Sequence, residues 1–366
     1  MHMRSFLAIL LTAIFTTTCL AAEKDSLDIK IGQMIMIGVG DRTSVAPGDA
    51  FLQEIKAGKV GGVVLFEKNI ASVDSRAKLK TLIQNLQQDA PIPLFVSIDE
   101  EGGRVHRLKE KYGFFNMPSA ADLGRINNAD TTLFYQRKLA ALLADLGINL
   151  NYAPVLDMAM NPDNTVVVRS ERTFGSDPEL VAKHASLVIQ AHHEYGVKTI
   201  LKHFPGHGSS AGDSHFGIVD VTRTWKMIEL DPYDRLIRSG NYDGIMTAHI
   251  VNERWDPSRL PATLSHLAIT GLLRNLLGHN GVVFSDDMQM QAISDHYGWE
   301  NAIVLAVNAG VDVLMFANTL PKNDKLVTAS QIHNIIKKQV QNKKIPAKRI
   351  DEAYRRIMAL KNKSFS

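Results

Sequence analysis

Two short segments of the sequence bring together side chains that move protons. Residues 202–208 read KHFPGHG, and a stretch rich in Gly and Ser leads from there to Asp213 and His215. Asp213 can hold one imidazole nitrogen of His215, which leaves the other nitrogen to donate or accept a proton near neutral pH. The pattern predicts an Asp–His pair on a mobile loop over Gly208–Gly212, with an incidental surface histidine as the alternative.

A pair of adjacent carboxylates follows an apolar run later in the chain. Residues 282–288 read VVFSDDM, so Asp286 and Asp287 come directly after a segment that reads as a buried strand. Neighbouring side chains along an extended chain point in opposite directions. We therefore expect one of the two carboxylates to be the working group and the other to be a structural acceptor.

Two further segments supply hydrogen-bonding groups. Residues 97–107 read SIDEEGGRVHR, and residues 171–175 read ERTFG. Asp99 can accept two hydrogen bonds from vicinal hydroxyls, and the arginines present fixed forks of donors. Together with an Asp–His pair and a carboxylate at a strand end, this set of groups suits a sugar, whose glycosidic bond is cleaved by a nucleophile or base and an acid.

A metal site is the other use for the histidines of residues 203–215. Metallohydrolases on a barrel scaffold usually have His-x-His after the first strand, where this chain reads IGVG over residues 37–40. The eighth apolar run also lacks a terminal carboxylate, because Asp312 stands at its start. The ligand set therefore disfavours a metal, and we expect no metal and no other cofactor.

The overall composition is that of an ordinary folded protein. The chain has 366 residues, of which 45% are hydrophobic and 22% charged. These values exclude disorder, collagen, coiled coil and a polytopic membrane protein. The net charge is +3, and no basic run with interleaved aromatic residues occurs. We therefore expect no nucleic-acid partner.

Eight short apolar runs alternate with segments of helical spacing. The runs are continuous rather than alternating, as in parallel strands buried on both faces. The alternation predicts a single (β/α)₈ barrel, a TIM barrel in the α/β class, whose C-terminal rim holds the site; a doubly wound sheet is the alternative fold. The runs are Met34–Val39, Gly62–Phe66, Leu94–Ile98, Ile148–Ala153, Val197–Leu201, Gly244–Ala248, Val282–Phe284 and Val311–Phe316. The helical segments are Arg76–Gln87, Thr131–Leu146, Pro178–Tyr195, Leu267–Leu277, Trp299–Ala309, Leu326–Asn342 and Ala347–Lys361.

The first 22 residues read as a secretory signal peptide. Arg4 precedes the apolar stretch Phe6–Phe15, and small residues follow. The apolar stretch is too short to span a bilayer. We expect an exported protein, periplasmic or secreted, whose catalytic domain occupies residues 23–366. Cys19 is the only cysteine, and its lipidation is the alternative.

These motifs, taken together and in this order, resemble glycoside hydrolase family 3, and within it the NagZ-like β-N-acetylglucosaminidases. The similar segments cover about the whole chain after the signal peptide. They are the D-x-E-G-G-R-V-x-R pattern at 99–107, RTFG at 172–175, KHFPGHG with the later D-S-H, and SDDM at 285–288.

The resemblance implies a role for each matching residue. Asp286 corresponds to the nucleophile, which forms a covalent glycosyl-enzyme with overall retention of configuration. His215 corresponds to the acid/base, tuned by Asp213. Five further residues match positions that bind the terminal GlcNAc, namely Asp99, Arg107, Arg172, Lys202 and His203.

The resemblance also implies an exo-acting β-N-acetylhexosaminidase that works without a cofactor as a monomer. Its partner is a carbohydrate with a terminal GlcNAc, from peptidoglycan fragments or chitooligosaccharides. Three alternatives stay open. They are a β-glucosidase-type member of the family, a GlcNAc phosphorylase, and an exported glycan-binding protein without turnover.

Overall fold

The barrel is complete within the part of the chain that the structure covers. The structure, a computed structural model, describes residues 26–214, 217–319 and 326–365. The predicted signal peptide and Cys19 lie outside these residues, as does His215. The division of the chain at residue 22 therefore stays a prediction.

Eight parallel strands form a closed barrel. Their order around the barrel is β1-β10-β9-β7-β5-β4-β3-β2, and two further strands, β6 and β8, pair with each other outside it. The barrel strands are β1 Ile35–Gly38, β2 Gly62–Leu65, β3 Phe95–Ile98, β4 Leu150–Asn151, β5 Lys198–Phe204, β7 Gly244–Thr247, β9 Val282–Asp287 and β10 Val313–Phe316; β6 is Val219–Asp220 and β8 is Ile250–Val251.

Each of the eight apolar runs contains or overlaps one barrel strand, so the predicted (β/α)₈ fold is confirmed. The cause is burial on both faces. Every residue of β1, β2, β3 and β10 is buried, which requires the continuous apolar sequence of a parallel sheet covered by helices.

Two strands extend beyond their predicted ends, and both extensions hold residues of the chemical motifs. β5 continues through Lys202 and His203 to Phe204, because Phe204 pairs with Thr247 of β7 after a register shift. β9 continues to Asp287, which pairs with Met315 of β10 after a similar shift. Backbone hydrogen bonding within the barrel thus fixes these polar residues.

Each predicted helical segment coincides with a helix, with small differences at the ends, and the structure adds five shorter helices that were not predicted. The last but one helix begins at Ala329 rather than Leu326, because the Thr328 side chain and the Gln331 side chain form a capping box there. The helices are Leu27–Gln33, Ala50–Lys56, Ser75–Gln88, Ala120–Ile126, Ala129–Leu146, Pro178–His193, Asp231–Ser239, the π-helix Leu267–Leu276, Gln291–Tyr297, Trp299–Ala309, Ala329–Gln341 and Ala347–Lys361; short 3₁₀ turns lie at Glu67–Asn69, Glu110–Tyr112, Met227–Leu230 and Ala262–Leu264.

Within the described residues, no helix has both the length and the apolar composition needed to cross a membrane.

Candidate active site

A cavity of about 240 Å³ opens where the barrel strands end. Six of the predicted site residues share its wall with apolar and small polar side chains. The lining residues are Asp99, Val105, Arg107, Val166, Arg172, Lys202, His203, His207, Ser214, Met246, Asp286 and Met315. Ligand sites of barrel enzymes lie at this C-terminal rim.

The two adjacent carboxylates of β9 have different environments. Asp286 lies in the cavity wall. The Asp287 carboxylate instead accepts backbone N–H groups, from Gln289 at 3.1 Å and from Ala317 at 3.0 Å. The Asp287 N–H donates to Asp286 Oδ1 at 2.7 Å. One carboxylate is therefore presented to a ligand, and the other fixes the loop after the strand.

A buried histidine secures this strand end from the side. His249 Nε2 donates to the carbonyl of Asp287 at 2.9 Å, and its Nδ1 lies 2.8 Å from Thr263 Oγ1. Because a carbonyl can only accept, Nε2 carries a proton. The contact fixes the backbone next to Asp286.

A buried lysine joins two acidic residues of the motif at 99–107. Lys202 is 1% exposed, and its Nζ lies 2.6 Å from Asp99 Oδ1 and 2.6 Å from Glu101 Oε1. Arg172 binds Glu101 through two parallel hydrogen bonds of 2.8 Å. Burial opposes ionisation of Glu101, but the charges of Arg172 and Lys202 outweigh it and hold its pKa below the usual range. Glu101 thus orients both cations toward the cavity.

His203 is oriented by a second buried carboxylate. Its Nδ1 lies 2.6 Å from Asp157 Oδ2, and Asp157 Oδ1 accepts the His207 N–H at 2.7 Å. Burial works against the charge on Asp157, yet its pKa is lowered by His203. Nδ1 therefore donates to Asp157, and Nε2 lies 3.4 Å from Arg172 Nη2.

Arg107 completes the cationic side of the cavity. Its guanidinium lies over the Phe66 ring at 5.7 Å, and its Nη2 is 3.8 Å from Asp99 Oδ2. Asp99 therefore faces Arg107 and Lys202 together. A carboxylate flanked by two donors is suited to bind neighbouring hydroxyl groups. The carboxylate accepts hydrogen bonds from the hydroxyl groups, and the flanking cations can donate hydrogen bonds to their oxygens.

The loop after β5, which is predicted to be mobile, is buried over part of its length. Gly208, Ser209 and Ser210 are buried, and only Ala211 and Gly212 are exposed in the predicted range. Asn164 donates to the carbonyls of His207 at 2.8 Å and Gly208 at 3.3 Å. The contacts to Asn164 hold this loop against the barrel, and the Gly/Ser composition of the loop does not reveal them.

His207 connects this loop to the cavity. Its Nδ1 lies 2.8 Å from Ser210 Oγ and its Nε2 lies 3.4 Å from Ser214 Oγ. Burial lowers the pKa of His207 to about 4, so the ring is neutral at pH 7. Ser214, next in sequence to Asp213, is buried and lines the cavity.

The structure places most of the predicted site residues together. Asp99, Arg107, Arg172, Lys202, His203 and Asp286 share the cavity. Asp213 is half-buried and is not part of its wall, and His215 lies outside the described residues.

Sequence reasoning gave no site role to Glu101 and Asp157. Glu101 lies two residues after Asp99 in the same motif, and Asp157 lies four residues after the end of the fourth apolar run. Position at a strand end was therefore a usable signal. Val166, Met246 and Met315 gave none, because apolar residues read as core.

Within the described residues, no three His, Cys, Asp or Glu side chains cluster in a way that could hold a metal ion. Positive charge in the cavity comes from Arg107, Arg172 and Lys202.

Comparison with known proteins places this geometry in a family. The profile of the glycosyl hydrolase family 3 N-terminal domain matches residues 26–360. A β-hexosaminidase from Tolumonas auensis is 38% identical over 264 residues, covering 71% of this chain and 76% of the relative. The β-hexosaminidase LpqI of Mycobacterium tuberculosis is 34% identical over 298 residues, covering 79% and 73%.

Solved structures agree with this assignment. A family 3 β-N-acetylglucosaminidase from Paenibacillus sp. FPU-7 superimposes with a TM-score of 0.81 at 34% identity, over 92% of this chain and 62% of that one. A β-N-acetylhexosaminidase from Beutenbergia cavernae gives 0.80 at 30% identity, over 92% and 99%.

The barrel with its charged rim cavity is that of a glycoside hydrolase. The chain belongs to glycosyl hydrolase family 3, and it is similar to the β-hexosaminidases of that family.

Proposed function

We propose that the protein is an exo-acting, retaining β-N-acetylhexosaminidase that removes a terminal, non-reducing GlcNAc. One observation supports this above all others. The carboxylate of Asp286 faces the same cavity as Asp99, Lys202 and Arg172. A nucleophile and a set of hydroxyl-binding groups therefore surround one small space, as cleavage at the anomeric carbon of a bound sugar requires.

The proposed reaction has two steps. In the first, Asp286 attacks the anomeric carbon while His215, held by Asp213, donates a proton to the leaving oxygen, so that the glycosidic C–O bond breaks and a glycosyl-aspartate forms. In the second, water loses a proton to His215 and its oxygen bonds to the anomeric carbon, which frees Asp286. Two displacements at one carbon return the β configuration.

A histidine suits this second step electrostatically. The deprotonated imidazole is neutral, so it does not repel Asp286 as a second carboxylate would. The same absence of charge admits an anionic acceptor. Phosphorolysis therefore remains the alternative outcome of the second step.

Cavity size favours removal of single sugars from a chain end. The volume of about 240 Å³ is below the roughly 300–1,000 Å³ of sites for drug-sized ligands. One ring fills such a space, while the rest of the glycan remains outside.

We infer that the natural substrates are peptidoglycan fragments or chitooligosaccharides met after export. The signal-peptide pattern in residues 1–22 supports export to the periplasm or the medium. N-terminal sequencing of protein recovered from a cell fraction tests this. A mature protein starting near residue 22 outside the cytoplasm is expected, and an intact Met1 in the cytoplasm would contradict it.

Hydrolysis of chitobiose and of a GlcNAc-terminated muropeptide, followed by proton NMR, tests the activity. We expect β-GlcNAc to appear first and to mutarotate afterwards. Parallel assays on 4-nitrophenyl glucoside, and with added phosphate, separate the alternatives. A preference for glucose, a sugar 1-phosphate as main product, or binding without release of product would each replace the proposal by the corresponding alternative.

A further inference from the structure

A buried glutamate lies beneath the loop that follows β5. Glu229, in the 3₁₀ turn Met227–Leu230, is 1% exposed. Its Oε2 accepts the Ser209 N–H at 3.3 Å, and its Oε1 accepts the Lys226 N–H at 3.1 Å. Neither contact supplies a positive charge. A buried carboxyl group of this kind is costly and calls for an explanation.

The loop backbone also lies directly against this side chain. Gly206 has a φ of +116°, and a Cβ added there would lie 2.8 Å from the Cβ of Glu229. One side of the loop, from Gly206 to Ser209, thus follows the shape of Glu229. Trp225 adds a second support, because its Nε1 donates to the Pro205 carbonyl at 3.1 Å.

The opposite side of the same loop is held by Asp157 and Asn164. Asp157 accepts the His207 N–H, and Asn164 donates to the carbonyls that follow. The loop is therefore clamped between the segment at 225–229 and the loop after β4. Beyond the clamp, the chain continues through Ser210 to Asp213 and Ser214.

We propose that Glu229 is a positioning residue for the loop that bears Asp213 and His215, and that protonation of the leaving group depends on it while sugar binding and attack by Asp286 do not. This inference rests on the proposed function, which gives His215 the role of acid/base. Glu229 lines no part of the cavity, so it acts only through the backbone of the loop.

The neutral and ionised forms of Glu229 both keep an acceptor oxygen for Ser209. Burial raises the pKa of Glu229 to about 7, so the carboxyl is partly protonated at neutral pH. An uncharged side chain of the same shape should therefore preserve the contact. Glutamine keeps one acceptor oxygen, which can serve the Ser209 N–H while its NH2 group takes the side of Lys226, whereas alanine keeps no acceptor.

The leaving group of the substrate separates this role from a general effect. A dinitrophenolate leaves without much help from an acid, whereas the sugar of chitobiose requires protonation. We expect Glu229→Ala to lower kcat/KM for chitobiose roughly tenfold to a hundredfold, less than the full contribution of general acid catalysis, because His215 is still present. On 2,4-dinitrophenyl β-GlcNAc the loss should stay below about threefold, and Glu229→Gln should stay close to wild type on both substrates.

Two further variants make each outcome decisive. His215→Ala must itself show a larger loss on chitobiose than on the dinitrophenyl substrate; if it does not, the proposed function fails. If His215→Ala shows this difference but Glu229→Ala lowers kcat/KM equally on both substrates, or on neither, this inference alone is overturned. Asp243→Asn removes a different buried carboxylate, which binds His193 and Lys363 away from the cavity, and should show no leaving-group dependence. Inhibition by GlcNAc and thermal unfolding verify an intact cavity and fold.

Discussion

Replacing Asp286 by alanine is expected to lower kcat/KM for 4-nitrophenyl β-GlcNAc by at least about three decades, as removal of a covalent nucleophile does. The expectation follows from the position of this carboxylate in the cavity wall. Binding should survive, because Asp99, Lys202 and Arg172 are untouched. Steady-state kinetics and the inhibition constant for GlcNAc measure the two effects separately.

The neighbouring carboxylate provides the matched control. Asp287 binds the backbone of Gln289 and Ala317 rather than the cavity, so Asp287→Asn should cost stability and much less of the chemical step. Equal losses of kcat/KM in the two variants would show that catalysis depends on the structure of the strand end and not on the Asp286 carboxylate.

Trapping the intermediate identifies the attacking atom directly. A fluorinated GlcNAc donor with a good leaving group should label the peptide that contains Asp286, because fluorine slows breakdown of the glycosyl-enzyme. Label on another residue would contradict the assignment. An active but unlabelled enzyme would point instead to attack by the acetamido oxygen of the substrate itself.

The sequence was sufficient for the fold because parallel barrel strands leave a clear pattern. Continuous apolar runs such as Gly62–Phe66 are typical of strands that are covered on both faces. Strand ends were harder to place. β4 is only two residues long, Leu150–Asn151, because Pro154 soon follows and lacks an N–H for a ladder.

The spacing of residues alone left the choice between Asp286 and Asp287 open for a related reason, and only the family resemblance pointed to Asp286. Alternation along the strand showed that the two point apart, but not which one faces the cavity. That depends on the register between β9 and β10, which shifts between Val313 and Met315. A shift of one residue would exchange the two side chains.

The ion pairs of the cavity also could not be predicted from the sequence. Lys202 and Arg172 are predicted to contact sugar, and the structure shows that both also bind Glu101. The partners are far apart in the sequence: Arg172 and Glu101 are separated by 71 residues, and Lys202 and Asp99 by 103. Only closure of the barrel brings them together. The types of the side chains predicted which residues belong to the site. The tertiary structure determines which of these residues pair with each other.

At the other end of the barrel, Asp312→Asn is expected to destabilise the protein strongly. Asp312 is fully buried at the start of β10, where Arg274, Arg349 and Arg356 contact it at 2.8, 2.5 and 3.2 Å. It also accepts the Val283 N–H at 3.0 Å. Removing the charge leaves three arginines around a neutral amide, and breaking such a buried cluster costs about 3–5 kcal/mol. Thermal unfolding should show a fall in Tm of roughly 4–7 °C.

An exposed ion pair is the control for this loss. Asp351 binds Lys30 at 2.8 Å, but its side chain is 58% exposed, so Asp351→Asn should hardly change Tm. Asp312 lies at the N-terminal end of β10, whereas the cavity lies at the C-terminal end of the barrel strands. The kcat/KM of the folded Asp312→Asn variant at low temperature should therefore match wild type. An unchanged Tm would mean that the three arginines find water or other acceptors at no cost. A folded variant without activity would mean instead that the cluster acts across the length of the barrel on the cavity.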